Sequence, residues 1–338
     1  MAKQEHHRSS IALIGGDTLI GRDIRELMEA SDLGAEVKLF STEGASVTSI
    51  LTKERGPSVM APLASAAFTS IGVLVLAGNA ESAMKALELA KQANEQPTII
   101  DLTGALEDEP AARLRAPMLE ASDHTAAAPI QVIAHPAAIA VALLLKALHA
   151  AARVRRAVVL VFEPASERGQ AGLDELQQQT VGLLSFKKLT KDVFDAQAAF
   201  NLLPRYGEEA PLALEEIELK IDRHLASLLA TAGSIPMPSL HLVQAPVFHA
   251  YSFSIWAEFE EKVEIDTLVA KLASPHIEVR AAGEEPPSNV GAAGQSGITV
   301  GEISADRNHP RAWWFWMVAD NLHLAAENAL EVAREALA

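Results

Sequence analysis

Ile11-Ala12-Leu13-Ile14-Gly15-Gly16-Asp17-Thr18-Leu19-Ile20-Gly21 is the stretch that decides the fold of this chain. Four apolar residues run into a glycine-containing turn. The turn runs into Ile24, Leu27 and Met28 at helical spacing. Val37–Phe40 reads as the second strand and Val73–Leu76 as the next, ended by Ala77-Gly78-Asn79. Ser82–Ala93 then reads as a helix, and Thr98–Leu102 as a strand carrying Asp101 near its carboxyl end. Strands alternating with helices predict a parallel, doubly wound, Rossmann-like sheet, and such sheets bind ligands at the carboxyl ends of their strands.

The second half changes character. Val154–Phe162, Leu240–Val247 and the alternating Ser252–Phe259 read as strands, with helices around Gly172–Leu184 and Leu214–Ala230. An α+β domain with a mostly antiparallel sheet is expected. Pro275–Gly297 reads as a long surface loop, Trp313–Val318 as an aromatic strand, and Asn321–Ala338 as a final amphipathic helix.

The chain has 338 residues, enough for two domains of ordinary size. Its longest apolar run, Ala137–Leu145, stops at Lys146, short of the ~18 residues that span a bilayer. Met1–Ser10 is polar and His-rich, unlike a signal peptide, so a cytoplasmic location is expected. A net charge of −16 argues against nucleic acid and anionic membrane surfaces as partners. The absence of cysteine excludes disulfides, thiolate metal sites and any cysteine nucleophile. No HxxxH or HExxH spacing points to zinc, so no metal site is expected.

Several segments together resemble aspartate-semialdehyde dehydrogenases over nearly the whole chain. They are the Gly15–Gly21 turn, Ile99–Thr103, Ile133-Ala134-His135-Pro136-Ala137-Ala138, Ala199–Pro204, Val243–Val247 and Val318–Leu322. The resemblance implies a Rossmann-like NAD(P)-binding-type domain over 1–134 and a catalytic and dimerisation domain over 135–318. It also implies a C-terminal helix, 319–338, packing back on the first domain, and a homodimer. The family's reaction is the reversible, NADP-dependent reductive dephosphorylation of an acyl phosphate. A cysteine attacks, a histidine handles the proton, an arginine holds the substrate carboxylate and two cations hold phosphate.

Measured against that pattern, the site is stripped. Ala138 stands where the cysteine of the family's Pro-Asn-Cys-Ser segment opens a helix, a place that favours thiolate. Tyr251 replaces the histidine, and a phenol of ordinary pKa ~10 is a poor base near neutrality. His249, two residues upstream, would share a face with Tyr251 if both lay on one strand. Gln244 replaces the arginine, without its bidentate charged contact, and Glu163 replaces a glutamine near the nucleophile. Glu107 and Glu218 align with the phosphate cations. Unit charges ~4 Å apart interact by about 4 kcal/mol at an effective dielectric of 20, so reversal would turn attraction into comparable repulsion. The other reading makes both glutamates solvated surface. A group of carboxylates could also raise one pKa or bind a cation.

For the cofactor, Gly15 and Gly21 are in place for the tight turn and for close helix packing, while Thr18 stands for the middle glycine. Asp17 sits where backbone should approach pyrophosphate. Glu43, in Ser41-Thr42-Glu43, suits a ribose hydroxyl rather than the 2′-phosphate of NADP, so any dinucleotide should be NAD in preference to NADP. Asp320-Asn321 resembles the motif on the nicotinamide side. Two readings stand. One is a thiol-free, Usg-type, non-catalytic dimer that binds an unidentified small molecule, scaffolds or regulates. The other is a cysteine-independent NAD-dependent oxidoreductase using His249, Tyr251 or His135.

Overall fold

The computed structural model describes residues 10–41, 48–52, 56–61, 63, 71–92, 96–120 and 128–338. The chain divides into two compact units. The first holds Met1–Pro117, Ala121–Ala134 and Ala325–Ala338, and the second holds Met118–Glu120 and His135–Leu324.

In the first unit β1 (Ser10–Ile14) turns at Gly15 into α1 (Leu19–Ala30). There follow β2 (Glu36–Phe40), the hairpin of β3 (Thr48–Thr52) and β4 (Gly56–Met60), β5 (Ile71–Leu76), α2 (Ala80–Lys91), β6 (Thr98–Asp101), β7 (Ala112–Arg115) and β8 (Ile130–Ile133). Six of these strands form a sheet in the order β2-β1-β5-β6-β8-β7, with every pairing parallel. Ile11, Leu13, Ile14 and Val73–Leu76 are buried on both faces of the sheet, which is why their sequence is continuously apolar instead of alternating. The order reverses between β1 and β5, so the carboxyl ends of these two strands flank the switch point where doubly wound sheets take ligands. α2 begins two residues before the sequence suggests. Asn79 Oδ1 accepts from Ser82 N at 2.8 Å and Ser82 Oγ accepts from Asn79 N at 3.0 Å, a reciprocal capping box that starts the helix at Ala80.

The second unit opens with α3 (Pro136–Ala151) and β9 (Val154–Glu163), then a 3-10 turn at Ala165–Arg168, α4 (Gly169–Leu184) and α5 (Leu214–Ala232). β10 (Ser239–Gln244), β11 (Tyr251–Phe259), α6 (Ile265–Leu272), β12 (Ile277–Val279), α7 (Asn289–Ala292), β13 (Ile298–Ala305) and β14 (Ala312–Ala319) complete it, and α8 (Asn321–Leu337) starts in this unit and belongs to the first from Ala325 on. Its sheet runs β10-β9-β11-β14-β13-β12. The three central pairings are antiparallel and both edge pairings, β10–β9 and β12–β13, are parallel. α3 packs with α5, α6 and β9. On β9 the side chains of Ala157, Val159 and Val161 are buried, while Val158, alternating with them, is 49% exposed.

Two segments depart from expectation. Pro275–Gly297 is not one loop: Ile277 and its neighbours pair as β12 with β13, and α7 is a single turn capped by Ser288. β10 ends at Gln244 instead of reaching Val247. Pro246 has no N–H for a ladder, and the carbonyls of Val247 and Phe248 instead accept from Ala165 N (2.8 Å) and Ser166 N (2.9 Å).

Candidate functional site

In the first unit, the turn after β1 is built around positions only glycine can fill. Gly15 has φ +81°, and a Cβ on it would lie 2.6 Å from the backbone of Gly78, just past β5. A Cβ on Gly21 would collide with the Gly15 carbonyl. Thr18 is the N-cap of α1: its hydroxyl accepts from Gly21 N at 3.0 Å and stands 2.8 Å from Gly15 O and 2.7 Å from Ala77 O. A threonine therefore ties the ends of β1 and β5 together at the switch point, where the resemblance places a glycine. Asp17 is exposed beside this cap. The turn thus fits the close-packed start of a dinucleotide site, with a carboxylate at its mouth. Glu43 lies outside the described residues. Glu107 is half-buried in the turn after β6, which Asp101 shapes by accepting from Thr103 N (2.8 Å) and Leu106 N (2.9 Å).

In the second unit several of the sequence-predicted residues, Glu163, Gln244, Tyr251 and Asn321 among them, lie around the carboxyl end of β9. Glu163 is its last residue and pairs in register with Gln244, the last of β10; both are fully buried. The Gln244 amide is committed to the fold. Its Nε2 donates to Glu163 O and Ala245 O, each at 2.9 Å, and its Oε1 accepts from the Tyr206 hydroxyl at 2.6 Å. That same hydroxyl lies 3.2 Å from Glu163 Oε1, and Arg168 Nη2 approaches Glu163 Oε1 to 3.4 Å.

Ala138 occupies the first turn of α3 and is fully buried. His135 caps this helix, with Nδ1 accepting from Ala137 N at 3.3 Å. In the neutral ring the proton then sits on Nε2, which faces Glu167 Oε2 at 4.0 Å. The His135 backbone N–H donates to His224 Nδ1 at 2.8 Å. Burial holds the His135 pKa well below its ordinary value, helped by Lys220, His224 and Arg168.

Tyr251 begins β11 and is fully buried, its ring centroid 6.2 Å from that of His135. Burial, and then the carboxylates of Glu167 and Glu163, push its phenol well above the ordinary value, so it stays protonated and is no base. Glu163 is pushed up to about 7, mainly by burial, with Arg168 pulling the other way and Glu167 adding to the rise. Glu167 is also raised by burial.

Asn321, the first residue of α8, accepts through Oδ1 from Ser166 Oγ (3.0 Å) and Ala250 N (3.2 Å). Ala250 has φ +66°, a conformation costly for a residue with a Cβ, and it is clamped from both sides because its carbonyl accepts from Asn289 Nδ2 at 2.6 Å. This kink corrects the reading of His249. That residue lies in the turn before β11, half-buried, so strand alternation does not carry it to the Tyr251 face. Glu218 points elsewhere too: it accepts from Leu242 N at 2.6 Å and meets His241 Nδ1 at 2.9 Å, closing the edge of β10. Asp320 is a helix cap, accepting from Leu322 N and His323 N.

Sequence reasoning overlooked Glu167, Arg168 and Tyr206. The one signal was a charged pair placed four residues after a strand that ends in glutamate. Among the described residues no group of three or more His, Cys, Asp or Glu is placed to hold a metal.

The arrangement of sheets and helices and the sequence both have close counterparts. Residues 145–324, over half the chain, match the family model for the semialdehyde dehydrogenase dimerisation domain. The chain belongs to the semialdehyde dehydrogenase family. A Pseudomonas aeruginosa protein named USG-1 protein homolog is 30% identical over 262 residues, covering 77% of this chain and 76% of that one. The aspartate-semialdehyde dehydrogenase of Aquifex aeolicus is 26% identical and covers 96% of each chain. Among solved structures, a probable aspartate-semialdehyde dehydrogenase from Pseudomonas aeruginosa superposes with a TM-score of 0.83 at 26% identity, covering 96% of this chain and 97% of that one. Family membership accounts for the two sheets and leaves open what Ala138, Glu163 and Tyr251 do here.

Proposed function

We propose that this member of the family has lost the phosphorylating dehydrogenase reaction and works as a homodimeric binding or regulatory protein. The observation that carries the reading is Ala138: the helix start that would activate a thiol is intact, and a buried methyl group occupies it. Tyr251 and Gln244 point the same way, one a phenol held protonated and the other an amide already spent on backbone carbonyls. The test is direct. Purified protein should oxidise aspartate semialdehyde in the presence of phosphate and NAD or NADP no faster than a buffer blank, and turnover well above the blank would refute the reading.

The outer face of the second sheet supports the dimer. Val158 and Trp314 stand 49% and 42% exposed there, and the register places both opposite Trp256. A dinucleotide site in the first unit is part of the proposal, with NAD preferred; the glycine positions at 15 and 21 favour it. No helix among the described residues is long and apolar enough to cross a membrane.

One observation favours a second reading, a cysteine-independent oxidoreductase. Glu163, held near 7, has the pKa of a general base suited to neutral pH. Hydride transfer from NADH to an aldehyde, abolished by Glu163→Gln, would establish it.

A further inference from the structure

Four buried polar atoms near the end of β9 have no hydrogen-bond partner: Glu163 Oε2, Tyr251 Oη, Asn321 Nδ2 and Arg168 Nε. Glu163, Tyr251 and Asn321 are each 1% exposed or less. Orphaned groups of this kind are rare in folded proteins, because each forfeits its bond to water. Here they cluster. The Asn321 Oδ1 contacts with Ser166 and Ala250 tie its amide to the 3-10 turn that carries Arg168, and Arg168 meets Glu163, whose carboxylate faces the Tyr251 phenol.

Their chemistry is lopsided. Among these four atoms Arg168, Asn321 and the protonated Tyr251 supply three donors and Glu163 the one acceptor, which becomes a donor once protonated; the Glu167 carboxylate, which faces Tyr251 and Asn321, is the acceptor a ligand would displace. We propose that this cluster binds a small monocarboxylate, whose oxygens accept from Arg168, Asn321 and Tyr251 while its charge draws a proton onto Glu163.

The groups facing Glu163 are Arg168 and Glu167 from the 3-10 turn, Tyr206 from the segment before α5, and Tyr251 from β11. Glu167 in turn faces Arg168, Tyr251, Asn321, Lys220 from α5 and His135 before α3. Two carboxylates against Arg168 and Lys220 sum to no net charge, so an incoming anion is tolerated only if one carboxylate is neutralised. Glu163 is the group poised for that, and the ligand's negative charge deepens its hold on the proton. Glu167 and Arg168, each with a side chain 14% exposed, are closer to solvent than Glu163, Tyr251 and Asn321. The cation missing at position 244 is therefore supplied, for a different contact, from position 168.

This rests on the binding reading above, and the two fail separately: a turnover assay tests that reading, and calorimetry tests this site. Titration of the full-length protein with acetate and propionate should give saturable binding. In buffers of different ionisation heat it should show net uptake of up to one proton at pH 8. With Glu163 near 7, affinity should fall about ten-fold between pH 6 and pH 8. Glu163→Gln should keep binding and lose the pH dependence. Arg168→Gln and, independently, Asn321→Ala should each weaken binding at least several-fold, so one variant that fails to fold leaves the other to decide. Absence of saturable binding overturns the proposal. So does binding that ignores both donor deletions, that keeps its pH profile in Glu163→Gln, or that prefers inorganic phosphate or methylammonium.

Discussion

Glu163 ties the site's chemistry to its stability. Its folded pKa of about 7 lies above the unfolded 4.5, so the native state holds a proton that the unfolded state releases in that window. Stability from this group is full below pH 4.5 and is lost as pH rises through 7. His135 runs the other way: its folded value lies below 6.5, so its contribution grows as pH rises toward 6.5. Denaturant melts should therefore show wild-type stability declining relative to Glu163→Gln between pH 4.5 and 7, and a parallel pair of curves would contradict the assignment. Two more side chains separate fold from function at this scale. Tyr251→Phe removes an orphaned hydroxyl and should change stability by less than ~1 kcal/mol, or raise it. Gln244→Leu leaves the Tyr206 hydroxyl only its longer contact with Glu163 and takes the amide donor from the Ala245 carbonyl, and should cost about 1–3 kcal/mol in the same melts.

At the scale of elements, legibility followed burial. Val73–Leu76 and Ile11–Ile14 could be read as strands because both faces of a parallel sheet demand apolar residues without interruption. β12 and β13 escaped notice because the Pro- and Gly-rich run before Ile298 masks an edge strand and its neighbour, whose pairing is set by tertiary contact. The site was half legible. Ala138, Gln244 and Tyr251 sit in ordered segments that a motif can locate, and Glu163 ends a strand beside them. Glu218 was misplaced because a motif gives position along a helix and not which way the side chain turns; it faces β10. His249 was misplaced because Ala250 breaks the strand's alternation, and a left-handed alanine leaves no trace in sequence. Caps give the test at this scale. Asp320→Ala should cost ~1 kcal/mol by removing the bonds to Leu322 and His323, and Gly15→Ala should cost more, since φ +81° and Gly78 both exclude a Cβ.

For the whole molecule, the retained parts are those that build the family's fold, and the proposal is that the altered positions are those that carried its chemistry. The second sheet keeps an apolar outer face around Val158 and Trp314, so Val158→Asp should shift the particle from dimer to monomer in light scattering. A dimer that survives it would place the contact elsewhere. The central claim is that catalysis was lost through linked changes at Ala138, Tyr251, Gln244 and the buried Glu163 cluster, and not through one missing sulfur. The most direct measurement is the initial rate of phosphate-dependent aspartate semialdehyde oxidation by Ala138→Cys, with NAD and with NADP. The expected rate equals the buffer blank; a rate restored by that single substitution would contradict the account.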